Sequence, residues 1–216
     1  MPLKYAYHPG NVAHSGSPEV GETMDAVARN LGLELTPLEG ATSCGAGIIK
    51  QANQRLQLAL NARTFAMAES LGLEILSPCA ATAGNLKQDL EKLRSDNILM
   101  KEINDVLFKT CGMEFTGNTE VHHLLHILVD EIGLDKVEKL AVNKFDFRVA
   151  PYYSPYFQME GACGGDSVND PEYFEKLIQS LGGRPIDWEG RVLSVGAPGI
   201  FSEAVSYTHL TLPTNT

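Results

Sequence analysis

The chain has 216 residues, 44% of them hydrophobic, with 17 basic against 27 acidic residues and a formal net charge of -10. That length buries one sizeable core or two modest ones, and an acidic balance without a basic stripe argues against nucleic acid as a partner. No apolar run reaches the roughly 18 residues of a membrane span, and the N-terminal MPLKYAYHPG lacks the apolar centre of a secretory leader, so a cytoplasmic location is expected.

In chain order, LKYAYH alternates and is β-prone, and Pro9, Gly10 and Asn11 turn the chain after it. Ser17 and Pro18 read as N-cap and first residue of an amphipathic helix whose inner face is Val20, Met24, Val27, Ala28 and Leu31, with Gly32 at its end. LELTPL is a second strand. It leads through GATSCGAG into one alanine-rich helix from Ile49 to Leu71, stopped by Gly72, and LEILSP is a third strand ending at Cys79. Strand, helix, strand, helix, strand at this spacing predicts βαβ units with a parallel sheet. Ligands in such sheets sit at the carboxyl ends of the strands, which here carry Asn11, Cys44 and Cys79.

Helical patterns continue over Asn85 to Leu93, Ile98 to Phe108, Thr119 to Ile132 and a short stretch near Val137. A strand FRVAPYYS starts near Phe147, and a glycine-rich loop precedes a helix from Pro171 to Leu181. LGLELTPLEGATSCGAG from Leu31 aligns with LGGRPIDWEGRVLSVGAPG from Leu181, an internal duplication with a period of about 150 residues. The expected architecture is α/β: duplicated βαβ-type units with parallel sheets and flanking helices, the second unit incomplete. The units are read as residues 1–145 with a helical insertion and 146–205. The last eleven residues, SYTHLTLPTNT, continue no period of the fold, and 206–216 are read as a non-native tail.

Four cysteines, Cys44, Cys79, Cys111 and Cys163, stand far apart without a CxxC pair, which favours free thiols over a disulfide framework. CGAG ahead of a helix has the look of a phosphate cradle, but Ile48, Ile49 and Lys50 follow Gly47 and no Gly-x-Gly-x-x-Gly run forms. Its glycines are read as letting the backbone pass close to whatever fills the strand-end pocket. Tyr5, Tyr7, Tyr152 and Tyr153 could line a redox or quinone-like pocket, and core packing is the preferred reading for aromatic residues on strands.

YAYHPGNVAHS, ATSCGAG, LSPCAATAGNL, GNTEVHHLL, VAPYYSPY and LGGRPIDWEGRVLSVGAPG resemble, in order and spacing, the cysteine-rich CCG-domain proteins. These include the B subunit of heterodisulfide reductase and the related E subunit of some succinate dehydrogenases. The resemblance runs from Leu3 to Ala204. It implies a duplicated α/β protein whose units each present a cysteine, a CC pair followed by glycine, and a CxxC. In heterodisulfide reductase these thiolates hold iron-sulfur clusters that pass electrons to a disulfide. Carried over by position, the leading cysteine of the first unit is Asn11, the CC pair is Ser43 and Cys44, and the CxxC is Cys79 and Thr82. In the second unit Pro155 takes the leading position, and Ser194 and Val195 take the CC pair.

Only Cys44 and Cys79 keep a thiol at these positions. Proline and valine cannot ligate iron, and asparagine, serine and threonine are hard, weak donors. The expectation is that this chain carries none of the family's clusters. Zinc at Cys44 and Cys79 is chemically conceivable, with His8, His14, His122, His123 and His126 nearby in sequence, and His122 and His126 are expected to face solvent or a partner. The other reading of the two thiols is as small apolar fillers. Cys111 is expected in the core, and Cys163 in an exposed loop. The resemblance implies a degenerate relative of the heterodisulfide reductase B subunit, with an accessory role alongside iron-sulfur and flavoprotein partners, cytoplasmic or peripheral to a membrane complex. The competing reading is an active iron-sulfur or thiol oxidoreductase component, for disulfide reduction or succinate/fumarate electron transfer, working through Cys44 and Cys79.

Overall fold

A computed structural model describes residues 2–10, 13, 17–159 and 165–194. The first half runs β1 (Leu3–Tyr7), α1 (Glu19–Leu31), β2 (Leu33–Pro37), α2 (Ile48–Ala52), α3 (Gln54–Leu71), β3 (Glu74–Ser77), α4 (Ala80–Ser95), α5 (Asn97–Cys111) and β4 (Val121–His123). Helix α6 (Leu124–His126) continues as a π-helical turn, Ile127–Ile132, before α7 (Leu134–Leu140). The second half holds β5 (Arg148–Val149), a 3₁₀ turn at Pro155–Phe157, α8 (Tyr173–Ser180) and β6 (Arg184–Pro185).

The four strands of the first half form a parallel sheet in the order β2-β1-β3-β4, with Tyr5 opposite both Leu35 and Glu74, and Ile75 opposite Val121. Successive side chains of a strand point to opposite faces, and the core divides accordingly. Ala6, Ile75 and Val121 pack with Leu58, Phe65, Leu86, Leu90 and Phe115 on the side of α3, α4 and α5. Tyr5, Tyr7, Leu33 and Leu76 pack with Met24, Ala28, Leu31 and Val137 on the side of α1 and α7. The fold is therefore the α/β architecture expected from the sequence. In the second half β5 and β6 also pair in parallel, joined through α8. Gly182 follows α8 ahead of β6 as Gly32 follows α1 ahead of β2.

Several elements differ from the sequence expectation. The helix read as Ile49 to Leu71 is broken at Asn53, which is extended (φ -156°, ψ 91°) and whose side chain accepts from Leu56 N–H, starting α3 afresh. Helix α4 starts at Ala80, five residues before the sequence reading, so Cys79 stands at its N-cap position. Helix α1 starts at Glu19 with Pro18 at the N-cap position and no capping side chain. The helix read over Thr119 to Ile132 opens instead as β4, because Val121 to His123 pair with Ile75 to Ser77.

Candidate thiol site at the strand ends

Strand β1 lies between β2 and β3, so the chain leaves β1 to one side and returns on the other. At such a switch point the loops diverge and leave a crevice at the carboxyl ends. Gly10 and Cys79 meet there. Gly10 has φ 85°, and a Cβ on it would lie 2.6 Å from Cys79 Cβ, 3.2 Å from its Sγ and 3.4 Å from Thr82 Oγ1. His8, also buried, fastens the neighbouring loops: its Nδ1 accepts from Gly10 N–H at 3.1 Å, which leaves Nε2–H to donate to the Thr42 carbonyl at 3.1 Å.

The loop after β2 carries Cys44 into this crevice, where it is 1% exposed and belongs to the same core cluster as Ala6 and Phe65. The Thr82 hydroxyl donates to Cys44 Sγ at 3.6 Å. The Cys44 carbonyl accepts from three side-chain amides, Asn85 at 2.6 Å, Asn61 at 3.0 Å and Gln57 at 3.5 Å. Asn61 also donates to Asp89 at 2.5 Å, and Lys50 Nζ donates to Asn85 Oδ1 at 3.1 Å and Gln88 Oε1 at 2.8 Å. Burial pushes the Cys44 thiol above its ordinary value, with partial opposition from the Ala46 N–H and the Thr82 hydroxyl. Burial likewise raises the Asp89 carboxyl against the pull of Asn61 and Lys50. Replacing Asn85 by alanine removes the shortest donor to the Cys44 carbonyl and an acceptor of Lys50. The expected cost is about 1–3 kcal/mol by urea unfolding; an unchanged midpoint would mean that this amide clamp does not hold the loop.

The second half closes over α4. Ser154 accepts from Tyr156 N–H and caps the Pro155–Phe157 turn, and Phe157 meets the His123 ring edge-on at 4.6 Å. His123 accepts the Leu125 N–H on Nδ1 at 3.1 Å and donates from Nε2 to the Pro78 carbonyl at 3.0 Å, so both ring nitrogens are engaged by backbone. A cleft of about 370 Å³ lies beside it, lined by Pro78, Ala80, His123, Tyr152, Phe157 and Phe174 among others.

Of the positions expected from the sequence, the structure brings Cys44, Cys79 and Thr82 together. Ser43 is adjacent, but its Oγ accepts from Gly45 N–H at 3.1 Å as part of the turn. Pro155 opens the turn seated on α4, and Ser194 lies in the exposed stretch that follows Val192. Asn11, His14, Cys163, Val195 and the tail 206–216 lie outside the described residues. Tyr5, Tyr7 and Tyr153 are core residues as expected, whereas Tyr152 is 38% exposed at the rim of the cleft.

Two expectations need correction. His126 does not face solvent: it is buried against Phe157 and Tyr173, while His122, on β4, bonds Glu74 at 2.7 Å. The turn from strand to helix at Leu124 sends them apart. Cys111 is exposed, because it ends α5 on the solvent side with its thiol donating to the Leu107 carbonyl at 3.2 Å. The amide clamp of Gln57, Asn61, Asn85 and Asp89 was missed in the sequence. Its signal is two pairs of polar residues at i, i+4 spacing on otherwise apolar helix faces.

An iron-sulfur cluster does not fit these residues. Clusters of this kind need several thiolates of low pKa. Here one thiol is buried with its acidity weakened, the Thr82 hydroxyl is already spent on Cys44, and the Gly10 backbone lies flush against Cys79. Among the described residues no group of three or more His, Cys, Asp or Glu is placed to share a metal ion.

Residues 5–87 match the model of the cysteine-rich CCG domain. The chain is 26% identical over 194 residues to the B subunit of the ferredoxin/F(420)H(2)-dependent CoB-CoM heterodisulfide reductase of Methanosarcina acetivorans, covering 88% of this chain and 64% of that protein. It is 25% identical over 193 residues to the B subunit of the ferredoxin:CoB-CoM heterodisulfide reductase of Methanosarcina mazei, with the same 88% and 64% coverage, so it spans less than two thirds of these relatives. It is 28% identical over 214 residues to the membrane anchor subunit of the 8-methylmenaquinol:fumarate reductase of Wolinella succinogenes, covering 98% of this chain and 73% of that one. Among solved structures, a hypothetical protein from Helicobacter pylori superposes with a TM-score of 0.60 at 12% identity, over 97% of this chain and 36% of that one, a likeness of fold alone. The shared motifs and these matches agree on a likeness to the cysteine-rich CCG-domain proteins, with residues 5–87 as the matched stretch.

Proposed function

We propose that this chain is a cluster-free relative of the heterodisulfide reductase B subunit, a member of an iron-sulfur and flavin electron-transfer complex in which its role is structural or accessory. The carrying observation is a preserved frame around altered ligand positions. His8 still ties two strand-end loops and three amides still clamp the Cys44 carbonyl, yet Thr82 stands at a ligand position as a hydrogen-bond donor to sulfur. That pattern fits selection for shape and assembly. The relatives' printed names supply the kind of complex: a heterodisulfide reductase and a menaquinol:fumarate reductase. Among the described residues no helix is long and apolar enough to cross a membrane.

A second reading, thiol or electron-transfer chemistry through Cys44 and Cys79, draws on Cys79 being only partly buried. It requires bound iron or zinc that is lost in Cys79→Ser.

The test is affinity purification of the tagged chain from its native host without oxygen. The proposed role requires flavin absorbance and iron to co-elute, with flavoprotein and iron-sulfur subunits identified by mass spectrometry. A chain that elutes alone, at its own mass, contradicts it.

A further inference from the structure

A second cavity, of about 400 Å³ and lined by neither thiol, lies at the carboxyl ends of β1 and β2. That volume is within the range of small-molecule sites, about 300–1,000 Å³. Tyr7 and Pro37, register partners at the ends of the two strands, line it together with Gly21 and Asp25 from α1 and with Leu38 and Glu39 from the loop after β2. The Tyr7 ring packs with Met24 and Ala28 and the residue is only 9% exposed, yet its hydroxyl is buried without a hydrogen-bond partner. Tyr5, two residues earlier on the same face, shows the ordinary state of such a phenol: its hydroxyl donates to Glu131 at 2.9 Å. An orphaned buried hydroxyl costs the fold, and at a cavity wall it is a group that a ligand would satisfy. Burial, and then the charge of Asp25, push the Tyr7 phenol up, so the hydroxyl keeps its proton. A Cβ added at Gly21 would meet nothing within 4 Å, so α1 leaves open space where it faces the cavity.

We propose that this cavity is a binding site for a small organic amine: the ammonium group pairs with the Asp25 carboxylate and donates to the Tyr7 hydroxyl oxygen, and a short apolar body lies along Pro37, Leu38 and the open face of Gly21. Charge selects the class of ligand. Among the described residues the lining carries two carboxylates, Asp25 and Glu39, and no lysine or arginine, and neither carboxylate is held in an ion pair. An anion is disfavoured there, and a cation is drawn in. No group of three or more His, Cys, Asp or Glu is placed among the described residues to hold a metal ion, and the remaining walls are apolar, which favours a cation with a hydrocarbon body. The site involves neither Cys44 nor Cys79 and stands independently of the role proposed above.

The test is an NMR titration of the full chain with n-pentylamine, protonated at about pH 7.5 as a lysine side chain is, against 1-pentanol as its neutral counterpart. Pentylamine should bind with a Kd of about 1 mM, as suits a probe of few atoms, and at least about tenfold more tightly than pentanol. Asp25→Asn should weaken pentylamine about tenfold and leave pentanol unchanged. Gly21→Leu, which fills the cavity from a helical position with room for a side chain, should abolish binding of both. Tyr7→Phe should weaken pentylamine while leaving the urea midpoint of the unliganded chain unchanged or higher, because the hydroxyl it removes has no partner to lose. Equal binding of the two probes would overturn the amine assignment, and pentylamine binding that survives Gly21→Leu would overturn the site. A blocked lysine, Nα-acetyl-lysine N-methylamide, binding as tightly as pentylamine would overturn the small-molecule source in favour of a partner's lysine side chain.

Discussion

Gly10→Ala is expected to destabilise the protein by about 2–5 kcal/mol, the sum of a left-handed backbone imposed on alanine and overpacking at a filled site. The two costs have separate origins. The first follows from φ 85°, and the second from the 2.6 Å approach to Cys79 Cβ, a backbone-anchored atom with little room to yield. Gly21→Ala makes the internal comparison, since nothing lies within 4 Å of a Cβ there and the position is inside α1. Alanine should gain about 0.5–1 kcal/mol at that helical site. Urea unfolding of both variants gives the contrast. If Gly10→Ala matched the parent chain, the switch-point crevice would have to be open, and the closed thiol site described above would be wrong.

Stability should fall on acidification from about pH 6.5 to pH 4, driven by two buried imidazoles. Burial first, and then its neighbour His126, push His123 from 6.5 down to about 3. Burial first, and then Lys87, push His126 from 6.5 down to about 4, against the opposing pull of Asp130 and Asp166. Both folded-state values lie below the unfolded one, so in this window the unfolded chain binds more protons. The stability they contribute is complete above the unfolded pKa and is lost as pH falls toward the folded values. Each group contributes a slope of up to about 1.4 kcal/mol per pH unit, so the pair is worth on the order of 5 kcal/mol across the window. Asp89, raised by burial, acts in the opposite sense and loses its stabilising share as pH rises through the carboxylate range. His126→Phe keeps a ring against Phe157 and Tyr173 but takes up no proton. Its unfolding free energy should therefore depend less steeply on pH between 6.5 and 4. A slope equal to that of the parent chain would show that His126 is not buried neutral.

Much of this was legible in the sequence, for reasons that differ from element to element. The strands β1 to β3 alternate and lie between helical stretches, so their parallel pairing followed, and with it the meeting of Cys44 and Cys79 at one sheet edge. The strand β4 was not legible. Val121, Leu124, Leu125 and Leu128 satisfy a helical period, and only the tertiary pairing of Val121 to His123 with β3 selects extended backbone. The break at Asn53 carried a local signal, an asparagine able to cap, that the alanine-rich run masked. The burial of His126 against Phe157 and Tyr173 and the seating of Tyr156 on Gly84 depend on contacts between the two halves that lie far apart in sequence, and no local pattern encodes contacts of that range. The thiol site was thus readable as a set of residues but not as a closed, hydrogen-bonded one. Thr82 read as a lost ligand, whereas in the fold it has acquired a partner of its own.

The most direct test of the closed site is iron and acid-labile sulfide content after anoxic purification and attempted reconstitution with iron and sulfide. A folded protein that retains neither in stoichiometric amount is the expected result, with Cys44→Ser and Cys79→Ser indistinguishable from the parent chain. Stoichiometric iron and sulfide, lost together in either variant, would contradict it and make Cys44 and Cys79 ligands of a working centre.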